Sequence, residues 1–239
     1  LNPFIVRDLN LLWWKDLLGL LFPRSCQNCG KALNPQEELL CARCLFHLPR
    51  TNFHRNKENP VREIFGGILP LYSATSFLFF NKGGMTQKLV HRLKYKGKKE
   101  IGVYLGELLG RQLSESEFFR DADVLLPVPL HPAKQKKRGY NQSEIIASGM
   151  ETVMKADLNA GVLFRKVHTS TQTRKSRYER WENVKDIFGV RNPAQLESKH
   201  VILVDDVITT GATLEACAEN LIDIPGIRLS VASLAYSQA

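Results

Sequence analysis

The sequence predicts an α/β protein: a mostly parallel sheet flanked by helices, preceded by a small N-terminal unit that binds metal. Three observations predict it. Short apolar runs bounded by Pro, Gly or Asp alternate with segments whose apolar residues recur every three or four positions, and strands alternating with helices imply a parallel sheet covered on both faces. One of these runs, Val201 to Val204, leads into an acid pair, Asp205 and Asp206, and then a glycine turn. Four cysteines stand as two Cys-x-x-Cys pairs near the start of the chain.

The elements follow in order. Leu9, Leu12, Trp13, Leu17, Leu20 and Leu21 lie at helical spacing, interrupted by Lys15 and Asp16. They predict an amphipathic helix, packed on its own protein or docked elsewhere, rather than a targeting segment. Cys26 and Cys29, then Cys41 and Cys44, can form two knuckles whose thiolates converge on one ion. Four thiolates in tetrahedral array suit structural zinc, and a unit too small to bury much core gains stability from the metal. A redox dithiol or disulfides are the alternatives at that spacing. The polar, punctuated stretch 50–60 predicts a linker, dividing the chain into residues 1–60 and 61–239.

In the second part, 67–75 reads as a strand in which Pro70 argues for an edge position. Met85, Leu89 and Leu93 mark a helix, and Ile101, Tyr104, Leu105, Leu108, Leu109 and Leu113 a longer one. Residues 123–128 make a buried strand, and Asn141 or Ser143 caps a helix carrying Ile145, Ile146, Gly149, Met150 and Val153. Residues 161–167 suggest a strand, 201–204 the central one and 227–236 the last. Leu214, Cys217, Ala218 and Leu221 place a helix after the glycine turn, with Cys217 a small core residue.

The stretch Val201 to Thr213 carries the chemistry. Asp205 and Asp206 can accept hydrogen bonds from vicinal hydroxyls. Thr209, Thr210, Gly211, Ala212 and Thr213 form a small turn at a helix start, where backbone N–H groups favour an anion. Ligands of an open parallel sheet bind at the carboxyl ends of its strands. The loop 127–142, with Lys134, Lys136, Lys137 and Arg138, therefore brings cations and N–H donors to the same place. Its Arg138, Asn141 and Gln142, with Val204 and the turn, are candidate ligand contacts. The polar stretch 165–188, with Arg165, Lys166, Arg174 and Arg177 among its cations, is a substrate contact, a lid or a solvated linker.

The formal net charge of +9 suggests phosphate-bearing partners without choosing among them. Residues 82–99 hold seven Lys or Arg and no acid, with Tyr95 among them. Lys88, Arg92, Lys94, Tyr95 and Lys96 could track single-stranded DNA and stack a base, or form a solvated helix flank. No apolar run reaches the length of about 18–20 residues that a spanning helix needs. With cysteines paired for metal, as suits a reducing compartment, the expectation is a cytoplasmic protein without a transmembrane segment.

The thirteen residues V-I-L-V-D-D-V-I-T-T-G-A-T resemble the 5-phosphoribosyl-1-pyrophosphate (PRPP) motif of type I phosphoribosyltransferases. The resemblance implies that fold, with Asp205 and Asp206 on the ribose hydroxyls as the catalytic pair and Thr209 to Thr213 on the 5-phosphate. P-V-P-L-H-P, H-R-L-K-Y-K-G, R-G-Y-N-Q, T-Q-T and R-Y-E-R-W-E-N-V narrow it further and resemble the ComF family, phosphoribosyltransferase-like proteins linked to natural competence. That implies a glycosyltransferase using PRPP with magnesium in a DNA-uptake setting, with DNA-uptake proteins as partners, or a non-catalytic DNA-binding protein of the same fold. Two departures stand out. Thr209 occupies a place where purine-salvage enzymes carry an acid that acts on the base. Leu130, His131 and Pro132 follow Val128-Pro129 where the usual pyrophosphate loop has an acid or hydroxyl and glycine. No general base is evident.

Overall fold

A computed structural model describes residues 24–166 and 187–237. The expected N-terminal helix, and most of the polar stretch with its T-Q-T sequence, lie outside the described residues. The chain divides into two compact units, Leu1–Leu48 and Pro49–Ala239.

In the smaller unit the first knuckle is a tight hairpin. An antiparallel bridge joins Ser25 to Ala32, the Gly30 N–H donates to the Cys26 carbonyl at 2.9 Å, and Gly30 turns the chain at φ +76°. The second knuckle opens a one-turn helix, α1 (Ala42–Phe46). Glu37 binds the two together at its carboxylate, accepting from the Asn34 N–H at 2.8 Å and the Ala42 N–H at 2.6 Å. Those two donors hold its carboxyl below the usual range.

The larger unit begins earlier than a linker at 50–60 implies. The Thr51 N–H donates to the Phe77 carbonyl at 3.0 Å, the Phe79 N–H to the Pro49 carbonyl at 2.8 Å, and Asn59 Nδ2 to the Ala74 carbonyl at 2.9 Å. All three partners belong to an edge strand, β1 (Ser73–Phe79), whose outer backbone groups need covering. The polar stretch supplies that cover, and Asn59 also caps α2 (Pro60–Ile64). Strand β1 starts six residues later than the apolar run at 67 suggested, beyond Pro70, which cannot donate to a ladder.

Four more strands, β2 (Val124–Pro127), β3 (Asp157–Leu158), β6 (His200–Ile208) and β7 (Arg228–Tyr236), complete a parallel sheet of order β1-β7-β6-β2-β3. A separate antiparallel ribbon pairs β4 (Leu163–Arg165) with β5 (Phe188–Val190). The predicted helices form as α3 (Met85–Tyr95), α4 (Lys99–Ser114) and α6 (Gln142–Glu151), the last capped by Asn141. The basic part of the loop after β2 winds into α5 (Pro132–Arg138), because Pro132 stands at its first position and Gly139, at φ +81°, ends it. The glycine turn leads into α7 (Ala212–Ala218).

Alternation along β6 sets the layers. Val201 and Leu203 enter one core with Val61, Phe65, Phe188, Leu214 and Cys217. Ile202 and Val204 point to the opposite face, where α6 packs on β2 and β6 and α4 packs on α6. Cys217 is fully buried in that first core, as its place on the helix stripe predicts. At the far, amino end of β6, buried His200 sits between Asp121, at 3.0 Å from Nδ1, and Ser230, at 2.9 Å from Nε2. Among the described residues, no helix is long and apolar enough to cross a membrane.

Candidate functional site

The sheet order creates one crevice. From β2 the chain goes outward to β3, and from β6 it goes the other way to β7. Parallel sheets bind ligands where neighbouring connections diverge in this way, beyond the carboxyl ends of the strands. Here β6 outruns its neighbour. The last β2 contacts are Pro127 opposite Val204 and the Val128 N–H to the Val204 carbonyl at 2.9 Å. Beyond that point β6 stays paired with β7 through Ile208, so Asp205 and Asp206 belong to the strand itself and lie along its one open side.

Each carboxylate has a distinct setting. Asp205 Oδ1 accepts from the Ser143 hydroxyl at 3.0 Å and from the Asp206 N–H at 2.8 Å. Burial first, and then the neighbouring Asp206 charge, push its carboxyl up to about 7, against the pull of those two donors and of Lys94. Asp206 Oδ1 accepts from Lys94 Nζ at 2.8 Å, an ion pair with both side chains largely covered. The acid pair thus holds an acid near its midpoint at neutral pH beside a carboxylate bound to an internal ammonium.

The turn that follows, with Asp205, lines a small cavity of ≈ 40 Å³ running from Val207 to Leu214. Thr209, Thr210, Ala212 and Thr213 are exposed while Gly211 is buried, in the left-handed conformation at φ +79°. A Cβ on Gly211 would lie 2.7 Å from Ile64 Cγ2 and 3.0 Å from Phe65 Cε1. The position needs glycine for its backbone angle and again for the approach of α2. Gly211→Ala is therefore expected to destabilise the larger unit by about 2–4 kcal/mol, the sum of left-handed strain and overpacking. Urea denaturation with an unchanged midpoint would contradict this.

The loop 127–142 splits into parts with different work. Arg138 is half-buried, its guanidinium 5.4 Å from the Tyr95 ring centroid. Asn141 and Gln142 are buried. Asn141 Nδ2 donates to the Val128 carbonyl at 2.9 Å and its Oδ1 accepts from the Ser143 N–H at 3.2 Å, while Gln142 Nε2 donates to the Tyr140 carbonyl at 3.2 Å. These amides shape the loop and set Ser143 beneath Asp205. Ser143 itself was legible only as a possible cap. Its contact with Asp205 spans 62 positions of chain, which no local pattern reveals.

The basic residues of α3 divide as well. Lys88, Arg92 and Lys96 line a broad groove of ≈ 700 Å³ together with His91 and Lys98. Lys94 turns instead to Asp206. Tyr95 joins Lys94 in a second cleft shared with α5. The Tyr140 hydroxyl donates to the Leu93 carbonyl, tying that loop to α3.

In the smaller unit, Cys26, Cys29, Cys41 and Cys44 offer four sulfur atoms all within 4.8 Å of one another. The Cys29 and Cys41 sulfurs are 3.7 Å apart. That is near the edge of a zinc–thiolate tetrahedron, about 3.8 Å for Zn–S bonds of about 2.3 Å, and far from a disulfide bond. The Cys41 N–H donates to Cys26 Sγ at 3.4 Å and Asn28 Nδ2 to Cys44 Sγ at 3.2 Å. Burial opposes ionisation of Cys26, but N–H donors from Cys29, Cys41 and Asn28 outweigh it and bring the thiol down to about 6. The four cysteines are positioned to hold a metal ion, and an all-thiolate set suits zinc.

The fold and site define a class: a parallel α/β protein with an acid pair and a glycine turn at its switch point, in a chain that also carries four cysteines positioned to hold a metal ion. No family model matches the chain. It is 31% identical over 137 residues to the DNA utilization protein YhgH of Salmonella typhimurium, covering 56% of this chain and 60% of that protein. It is 30% identical to competence protein F of Haemophilus influenzae over the same shares, and 28% identical to competence protein ComFC of Bacillus subtilis over 58% of this chain and 54% of that one. The chain therefore spans about 60% of the length of the curated relatives it matches. Among solved structures, it is similar to the allosteric regulatory enzyme of purine biosynthesis, at 18% identity and TM-score 0.40 over 59% of this chain and 29% of that one. A hypoxanthine phosphoribosyltransferase from Staphylococcus aureus aligns at 17% identity and TM-score 0.34, over 58% and 64% of the two chains.

Proposed function

We propose that the larger unit is a phosphoribosyltransferase-like domain that binds Mg²⁺-PRPP, or another ribose 5-phosphate, at the open side of β6. The observation that supports this most is the acid pair on a strand end that is open on its β2 side, one turn before the Thr209–Thr213 cavity. Asp205 and Asp206 accept hydrogen bonds from the ribose hydroxyls, and the turn takes the 5-phosphate. The first-turn N–H groups of α7 have no intrahelical partner, so they remain donors for it. Lys134, Lys137 and Arg138 add positive charge on the β2 side of the site.

As a transfer, the reaction forms a bond from an acceptor nitrogen to ribose C1 while the C1–oxygen bond to pyrophosphate breaks. The electron pair leaves with pyrophosphate, and the proton lost from the acceptor passes to solvent. Bound Mg²⁺ would balance the pyrophosphate charge, with the carboxylates of Asp205 and Asp206 the oxygen donors at hand. Positioning and preset electrostatics carry the catalysis in this reading, with Asp205, Asp206 and the turn fixing the sugar. The names of the relatives favour a role in competence or DNA use. A single strand bound through the cations of α3 is the alternative without turnover, and steep loss of DNA affinity with salt is its signature.

Titration calorimetry with Mg²⁺-PRPP and with ribose 5-phosphate tests the proposal. Asp205→Asn and Asp206→Asn are each expected to weaken binding about 10–100-fold, the scale of a hydrogen bond to a charged group. The sign of the pH effect follows from Asp205. Its carboxyl titrates at about 7, so below that pH it carries a proton and loses acceptor capacity. Affinity should rise from pH 5.5 to 7.5 and level off above, and Asp205→Asn should remove that part of the slope. A parent protein that binds neither ligand ends the proposal.

A further inference from the structure

We propose that the cleft between the carboxyl end of α3 and α5 binds one nucleotide unit, an aromatic base carrying a phosphate. The site is built from chemistry of two kinds. Lys94, Lys134, Lys137 and Arg138 bring four cations to its walls, with no carboxylate among the described lining residues, and Tyr95 and Tyr140 bring two aromatic rings. A surface of this kind holds a phosphate by charge and a base by stacking.

Size and exposure agree with that ligand. The cleft measures ≈ 340 Å³, at the small end of the range for ligand sites, about 300–1,000 Å³. It has room for a nucleotide and not for a folded partner. Tyr95 is 66% exposed, unusual for a large ring, and is held in place by Arg138 at 5.4 Å from its centroid and by the His91 ring at 5.0 Å. Helix α5 buries none of its residues, so Lys134 and Lys137 stand in solvent at the cleft mouth. Tyr140 is fixed through its hydroxyl bond to the Leu93 carbonyl and by Lys99, whose ammonium lies 4.9 Å from the ring centroid.

Lys94 forms the wall common to this cleft and the acid pair, since its ammonium is bonded to Asp206 at 2.8 Å. A nucleotide in the cleft therefore faces the place proposed for the ribose 5-phosphate. Resting on that proposal, the cleft is the acceptor side of the site. The ligand can be a free nucleotide or the terminal nucleotide of a single strand, because both present the same base and phosphate.

Calorimetry on the full chain, without PRPP and without added magnesium, tests the cleft, and the Tyr95 and Asp205 variants separate it from the ribose 5-phosphate site, which the sugar phosphate of a nucleotide can also enter. The probes are thymidine 5′-monophosphate, thymidine, inorganic phosphate, pyrophosphate and an oligothymidylate of about eight residues. Thymidine monophosphate is expected to bind at least about tenfold tighter than thymidine or phosphate. Tyr95→Ala should weaken the nucleotide about tenfold and leave phosphate unchanged, and Tyr95→Phe should restore binding. Lys134→Ala with Lys137→Ala should weaken both. All these positions are on the surface, and thermal melts confirm that the variants fold. An oligothymidylate that binds tighter than the mononucleotide and competes with it identifies a strand end as the source; equal binding identifies a free nucleotide. Pyrophosphate binding as tightly as the nucleotide, or a Tyr95→Ala variant with unchanged nucleotide affinity, overturns the proposal and leaves an anion pocket. Asp205→Asn should not alter nucleotide binding. Nucleotide binding without PRPP binding would therefore refute the proposed function alone, and the reverse pattern would refute the cleft alone.

Discussion

Alanine at Gly149 is expected to cost the larger unit about 4 kcal/mol or more, placing it among the severest single substitutions. A Cβ there would lie 2.0 Å from the Val103 carbonyl oxygen, and one on Gly106 would lie 2.1 Å from the Ile146 carbonyl oxygen. The two helices α4 and α6 meet backbone to backbone at these positions. No side chain can rotate out of the way, so the helices must separate and the core beneath α6 must open. The neighbouring glycines make a graded control. At Gly110 the closest atom is Val153 Cγ2 at 2.6 Å, with the Met150 Cα at 3.0 Å, and at Gly102 it is Ile145 Cγ2 at 2.7 Å. Those side chains can give, and alanine there should cost about 1–3 kcal/mol. Urea unfolding of the four variants measures the order; Gly149→Ala as stable as Gly102→Ala would refute the close approach of the helices.

Removing the metal should unfold residues 24–48 while residues 49–237 keep their own transition. Within 24–48 the buried apolar residues are Leu40 and Leu48 besides three of the four paired cysteines. Two leucines cannot offset the conformational entropy of some two dozen residues, about 1–2 kcal/mol for each backbone. Metal binding would supply the difference, on the scale of about 10–16 kcal/mol for structural zinc sites. Cys41→Ser with Cys44→Ser, or treatment with a strong chelator, should make this unit sensitive to protease, and elemental analysis of the parent should find one metal per chain. A metal-free protein whose smaller unit resists protease would refute the ligand assignment.

Much of this protein is readable in one dimension. The helices α3, α4 and α6 follow from apolar spacing, and Asn141 caps the last as its residue type suggests. The strand through Val201, the buried Cys217 and the convergence of the four cysteines follow from local pattern too. Other features resisted. The two-residue strand β3 is too short for alternation to show, and it exists because β2 offers it a partner. The stretch 50–60 looks like a linker by composition, yet Thr51 and Asn59, with the preceding Pro49, close the edge of β1. Lys94 reads as one more cation in a basic run. Only the turn of α3 toward β6 takes it away from Lys88, Arg92 and Lys96 and brings it to Asp206, 112 positions along the chain.

The sequence by itself determined which chemistry is present: a four-thiol set, an acid pair, a glycine turn and an excess of cations. Side-chain type and local spacing carry that information, because knuckles, caps and turns are closed by residues a few positions apart. The tertiary structure decided which of those groups act together. It made β6 longer than β2, which opens one side of the acid pair. It set Ser143 and Lys94 on the two carboxylates and walled a cleft with Tyr95 and α5. Those pairings depend on strand order and on how closely two glycine-lined helices approach, and both are properties of packing between distant segments rather than of any segment alone.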